Sequence, residues 1–213
     1  MGSTVAALAP QFDDAAQQRE ASRLGIWIFL ATEVLFFGVL FAAYTITRVH
    51  DPAAFAAGSR LTNVTLASIN TAVLLTSSLT MALGVLAAQS GSRRATVGWL
   101  SLTVALGISF LAIKGIEYRI DYLEHLIPTV NFLYTGAQAG RVELFFYLYF
   151  VITGIHALHV LIGVVVISVM AVFASKGAFN SDYFTPVDVT GLYWHLVDII
   201  WLFVYPMLYL VRS

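Results

Sequence analysis

The chain has 213 residues, 59% of them hydrophobic and only 11% charged, against about 25% charged in a soluble domain. Its net charge of −1 offers no basic surface for nucleic acid, and with no cysteine it can form no disulfide, thiol nucleophile or cysteine-ligated cluster. What remains is a membrane protein, and the placement of the charges says the same.

Residues 1–23 form a polar, mildly acidic segment. A secretory leader would open basic and then turn apolar, so the segment is expected to precede a first span that is retained. A helix needs about 20 mainly apolar residues to cross the ~30 Å hydrocarbon core. The first such stretch is 24–46, where Glu33 is the only charge between Arg23 and Arg48. The second, 64–88, lies in the charge-free interval between Arg60 and Arg93, and the third, 96–116, has no charge from Arg94 until Lys114 near its end. The fourth, 144–173, is long enough to tilt or to extend past the bilayer. The fifth, 191–211, holds Asp198 as its only charge before Arg212. Breakers separate the spans: Asp51 with Pro52, Ser90 to Ser92, Pro128, Gly136 to Gly140, and Pro186. The expected fold is all-α: residues 24–213 as a single domain of five transmembrane helices.

Arginines and lysines divide evenly between the two sides, so the positive-inside rule does not orient the chain. In the second span Thr65, Ser68, Ala72, Thr76 and Thr80 form a small-residue stripe that would let another helix approach closely. Trp27, Trp99, Tyr193 and Trp194 stand near helix ends and are read as interfacial belts.

A few residues could carry chemistry. Glu33 sits about nine residues into the first span, ~13 Å deep at 1.5 Å per residue. A carboxylate there costs a few kcal/mol, so Glu33 is expected to be neutral and hydrogen-bonded to the fourth or fifth span. The functional reading is a proton- or lipid-linked site; the alternative is a packing group. His156 and His159, three apart, are read as one face of the fourth span. They supply two ligands where most metal sites need three or more. His195 and Asp198 are likewise three apart, and a carboxylate beside an imidazole can orient it. Glu33, His156, His159, His195 and Asp198 could meet as one buried polar cluster. Glu117 and Tyr118 close the third span, read as interfacial charge and packing, and Trp194, Asp198 and Trp201 share a stripe of the fifth.

Four runs carry a family resemblance. ATEVLFFG at 31–38 resembles the acid-bearing helix of haem–copper oxidase subunit III. YFVITGIHALHV at 149–160 resembles its histidine helix, and YWHLVDIIWLFVY at 193–205 its last helix. KGIEY at 114–118 is similar to the glutamate–tyrosine end of the helix between them. The runs keep the family's order and span nearly the whole chain after residue 22, and five spans match the short bacterial form.

The resemblance implies a subunit of a respiratory terminal oxidase, of the cytochrome c branch, that binds neither haem nor copper itself. The haem and copper would sit in partner subunits. Subunit I would be the main contact, with subunit II and the remaining oxidase subunits alongside. The resemblance further implies stabilisation of subunit I, support of its proton uptake, and bound phospholipid. It places Glu33 on the family's buried glutamate, and His195, Asp198 and Trp201 on the signature of the last helix. It also implies a bacterial cytoplasmic membrane, with the N-terminus inside and the C-terminus outside. Alternatives are the related subunit of a quinol oxidase or a nitric oxide reductase. From other classes come a haem-binding electron carrier using His156, His159 and His195, and a proton-coupled transporter using Glu33. The transporter expects internal repeats or helices broken at midplane; the sequence has no repeat, and its only intraspan proline is Pro206, near an end.

Overall fold

The computed structural model describes residues 14–136, 138–181 and 183–212, the side chain of Ala15 aside. They form six helices and no strand: α1 Ala15–His50, α2 Pro52–Leu61, α3 Val64–Gln89, α4 Arg93–Leu123, α5 Ala139–Ser175 and α6 Thr185–Tyr209. All except α2 are long and apolar enough to cross a membrane.

The helices outrun the expected spans because apolar length marks only the part that meets hydrocarbon. Asp14 caps α1, its carboxylate accepting the Gln17 N–H at 2.7 Å, so helix begins well before residue 24. Residues 1–13 of the expected polar segment lie outside the described residues. Pro52, expected to break the chain, instead starts α2 with its fixed φ and missing N–H at the first turn. That helix of 10 residues is too short to register as a span, yet it buries Ala54, Phe55, Ala56, Gly58 and Ser59. The Asn63 side chain caps α3 through the Leu66 N–H at 3.1 Å. Gly91, at φ 69°, ends α3 with a left-handed residue that any side chain would strain.

Helices α3 to α6 close a four-helix ring, α3 packing on α4 and α6, and α5 on the same two. Helix α2 rests mainly on α5, and α1 lies against α6 with lighter contact to α5 and α2. The ring is filled by large rings set against glycines. Trp194 is fully buried, and its indole occupies the space that a Cβ at Gly107 or Gly163 would need. Trp201, also fully buried, packs edge-on to Phe110 with centroids 4.9 Å apart. Both indoles find acceptors on α3: Trp194 Nε1 donates to Ser77 Oγ at 2.9 Å and Trp201 Nε1 to Thr71 Oγ1 at 3.0 Å. Trp194 therefore does not stand in an interfacial belt, and neither tryptophan of α6 faces lipid. A buried indole needs a hydrogen-bond partner, and the hydroxyls of α3 supply one.

The small-residue stripe of the second span is not the face that packs α3 into the ring. Thr65, Ser68, Ala72 and Thr76 are exposed, and only Thr80 is buried. The face turned into the ring is Ala67, Asn70, Leu74, Ser77, Met81, Gly84 and Ala88, spaced by three and four as one helical stripe requires. Small hydroxyl residues occur on both faces, so their spacing alone did not tell which one packs.

Adding a methyl at Gly163 would bring it within 2.7 Å of the Trp194 ring, whereas Gly98 has open space around it. Overpacking a filled interior costs about 1–3 kcal/mol. Gly163→Ala should therefore lower the thermal midpoint of the assembled protein, while Gly98→Ala leaves it unchanged or slightly raised. Equal midpoints for the two variants would show that the Trp194 seat is not tightly filled.

Candidate functional site

Glu33 faces α5. Its Oε2 lies 3.0 Å from His159 Nε2, and each side chain is 16% exposed. Oε2 makes no completed hydrogen bond among the described residues, and His159 Nε2 is the polar atom it faces. The other ring nitrogen fixes the chemistry. His159 Nδ1 lies 2.8 Å from the Ile155 carbonyl, which can only accept, so Nδ1 carries a hydrogen. A proton placed between Nε2 and Oε2, on either atom, would complete a hydrogen bond across that 3.0 Å. Phe37 packs edge-on to the His159 ring, and Tyr193 of α6 donates to the His159 carbonyl at 3.0 Å. Glu33 thus faces a group of the fourth span, His159, at 3.0 Å.

His156 and His159 do not share a surroundings, although three positions apart. Three residues leave two side chains about 60° apart around a helix, and here that is enough for the two rings to enter adjacent interhelical spaces. His159 meets α1. His156 is fully buried in the ring between Phe110 and Trp201, centroids 5.6 and 5.0 Å away, and neither ring nitrogen has a hydrogen-bond partner. His195 and Asp198 both turn to α3: His195 Nδ1 meets Ser78 Oγ at 2.7 Å, and Asp198, buried at 4% exposure, has the same hydroxyl beside it. The five residues expected as one cluster are thus the pair Glu33 with His159, the pair His195 and Asp198 about Ser78, and His156 in the ring. Among the described residues no three histidine, aspartate or glutamate side chains converge as a metal would need.

The most connected polar site includes residues that were read as the interfacial end of the third span. Helix α4 continues to Leu123, so Glu117 lies inside the protein at 0% exposure, with Lys114 and Asp121 at 2% each. Lys114 Nζ donates to Glu117 Oε2 at 3.0 Å, to Tyr149 Oη at 3.2 Å and to Tyr209 Oη at 2.6 Å. Tyr209 donates to Glu117 Oε1 at 2.7 Å. Tyr149 lies between Glu117 Oε1 at 2.8 Å and Asp121 Oδ2 at 3.1 Å. Beside them Tyr118 Oη meets Thr153 Oγ1 at 2.7 Å. A signal for this site was present in the sequence. Leu100, Thr103, Gly107 and Phe110 are buried on one face of α4, and Lys114, Glu117 and Asp121 continue that face at the same three-four spacing. Charges that prolong a core stripe point into the core.

Comparison with known proteins agrees with the motifs. The family model described as cytochrome c oxidase subunit III matches residues 11–213. The chain is 31% identical over 206 residues to cytochrome c oxidase subunit 3 of Corynebacterium diphtheriae, covering 96% of this chain and 95% of that protein. It is 30% identical over 197 residues to quinol oxidase subunit 3 of Bacillus subtilis, covering 91% and 90%. A haem–copper oxidase subunit I+III of Aeropyrum pernix is 31% identical over 199 residues, covering 91% of this chain and 23% of that longer protein.

Glu33→Gln keeps a donor for His159 Nε2, because the amide N–H₂ can occupy the place of the acid proton. Glu33→Ala removes it and leaves a buried acceptor alone, at a cost of about 1–3 kcal/mol. The glutamine variant should keep the thermal midpoint of the assembled protein and the alanine variant should lower it. A glutamine variant as unstable as the alanine one would contradict the shared-proton pair.

Proposed function

The chain belongs to the cytochrome c oxidase subunit III family, and on that premise we propose that it is a non-catalytic subunit of a cytochrome c oxidase in a bacterial cytoplasmic membrane. Its role is to hold the catalytic subunit I in its active form, to support proton uptake by that subunit, and to carry phospholipid. The haem and copper belong to partner subunits, subunit II and the other oxidase subunits complete the assembly, and the N-terminus lies inside and the C-terminus outside.

The observation that carries this reading is the family match along essentially the whole chain. Contact with subunit I is supported by the relative that bears the name subunit I+III, where the matching segment shares a polypeptide with subunit I. Bound lipid is supported by the way α1 sits. Only 11% of its apolar stretch is buried within the chain, against 50% for α6. Leu24, Trp27, Ile28, Leu35 and Val39 are exposed along it, and such surface in a membrane is covered by acyl chains or by another helix. Glu33 and His159 at that boundary form the proton- or lipid-linked site. His195, half-buried on α6, and the core residues His156 and Asp198 add to the polar character behind it.

A second reading, a quinol oxidase subunit, rests on relatives of that name at the same level of identity, in Bacillus subtilis and Pseudomonas aeruginosa. Purifying the complex in mild detergent and assaying it with reduced cytochrome c and with quinol separates the two.

Removing this chain from the complex should leave oxygen reduction measurable at first and then let it decay over successive turnovers, faster than in the intact enzyme. Following activity against turnover number checks this. A depleted enzyme that holds its activity as long as the intact one would contradict the protective role.

A further inference from the structure

The hydrogen bonds around Lys114 do not close unless the site holds one proton more than its ionised side chains supply. An ammonium group has three donors, and Lys114 has three acceptors: Glu117 Oε2, Tyr149 Oη and Tyr209 Oη. Having accepted from Lys114, each phenol has one proton to give. Tyr209 gives its proton to Glu117 Oε1. Tyr149 faces two carboxyl oxygens with its single proton, Glu117 Oε1 and Asp121 Oδ2. If both acids were ionised, one of these two close oxygen pairs would have no hydrogen between them. The charges would fail to close as well, with one cation against two anions in a site where Lys114, Glu117 and Asp121 are at most 2% exposed.

Among the described residues Lys114 is the one cation bonded to the side chains of this cluster. Helix α3, which packs on α4, carries no titratable side chain at all. Helix α5 presents Tyr149 and, a little further along, the buried His156, which lies within electrostatic reach of Lys114, and helix α6 presents Tyr209. On α4 itself, Tyr118 is bonded to Thr153 and Arg119 is exposed, while Glu124, just past the helix end and exposed, would add only like charge. His125, beyond the helix end, is exposed.

We propose that Asp121 holds an exchangeable proton in this buried site, donating it to Tyr149 Oη, so that Tyr149 donates in turn to Glu117 and the three-helix cluster is a neutral, fully bonded proton store. The proton sits on Asp121 rather than Glu117 because the two acids differ in their partners. Glu117 receives the ammonium directly and a phenol besides, which stabilises its anion. Asp121 touches only Tyr149. Tyr149 Oη then accepts from Lys114 and from Asp121 and donates once, within the capacity of a phenol oxygen. Loss of the Asp121 proton would leave a net negative charge among α4, α5 and α6, where these residues tie the three helices together.

The test is infrared spectroscopy of the intact oxidase complex at neutral pH, wild type against Asp121→Asn, with thermal midpoints of the same samples and of Glu117→Gln. The expected result is a carboxylic C=O band that shifts on transfer to D₂O and is absent from Asp121→Asn. Asp121→Asn keeps a donor for Tyr149 and should keep the midpoint, whereas Glu117→Gln strips Lys114 of its anion and should lower it. The proposal is overturned if the spectra of wild type and Asp121→Asn show the same carboxylic bands, or if Asp121→Asn lowers the midpoint as much as Glu117→Gln. Should Asp121→Asn fail to assemble, 13C-aspartate labelling in an Asp198→Asn background takes its place. A carboxylic band moved by the label supports the proposal, and none overturns it.

Discussion

A single cation inside the helix ring sets the terms for the rest of this structure. An ammonium group in an apolar interior is tolerated only when an anion and further acceptors reach it at hydrogen-bond distance. Lys114 finds its anion three residues along its own helix and its other two acceptors on α5 and α6. Those contacts fix the axial register of three helices, because Tyr149 and Tyr209 must arrive at one depth. The same ammonium lies 4.7 Å from the Tyr149 ring centroid and 5.7 Å from that of Trp201, so the aromatic layer next to it is also electrostatically favourable. From there the order passes along the ring. Trp201 rests on Phe110 and His156, and Trp194, two turns along α6, seats against the glycines of α4 and α5.

Helix α1 obeys a different rule. It crosses the membrane largely outside the ring and is held at a few polar or aromatic points: Glu33 on His159, Phe37 on the same imidazole, Phe29 on Tyr193, and Tyr44 on the Met207 carbonyl near the other end. Tyr44 also packs on Phe55 of α2 and Phe145 of α5. Apolar contacts between helices gain little in lipid, whose tails are as apolar as leucine. The polar points therefore matter more to the seating of α1 than the area it buries. The ring is thus locked by charge, and α1 is pinned at its margin.

The five spans were legible in the sequence because apolar length is a direct physical requirement of the bilayer. The family was legible because runs such as those around Glu33, His156 and His195 combine polar residues with apolar neighbours in a fixed order. Helix α2 was not legible, since ten residues beginning at a proline resemble a loop when length is the criterion. The ends of spans misled most. Glu117 and Tyr118 looked interfacial because charge near a span end usually meets water, yet the stripe from Leu100 to Asp121 shows that α4 keeps its buried face. His156 and His159 looked like one pair, and the roughly 60° between them is enough to separate a ring residue from an α1 contact. Trp194 looked like a belt residue, and only the facing glycines of two other helices reveal its seat. In each case the missing information was the rotation of a helix about its axis, which depends on neighbours and not on composition.

The central claim is that the charge of Lys114 is balanced inside this chain by Glu117, Tyr149 and Tyr209. A high-resolution cryo-electron microscopy map of the assembled oxidase in a lipid nanodisc tests it most directly. The account predicts density for Lys114 Nζ within hydrogen-bond distance of all three partners. A lysine turned outward to lipid headgroups, or paired with an acid of a neighbouring subunit, would contradict it.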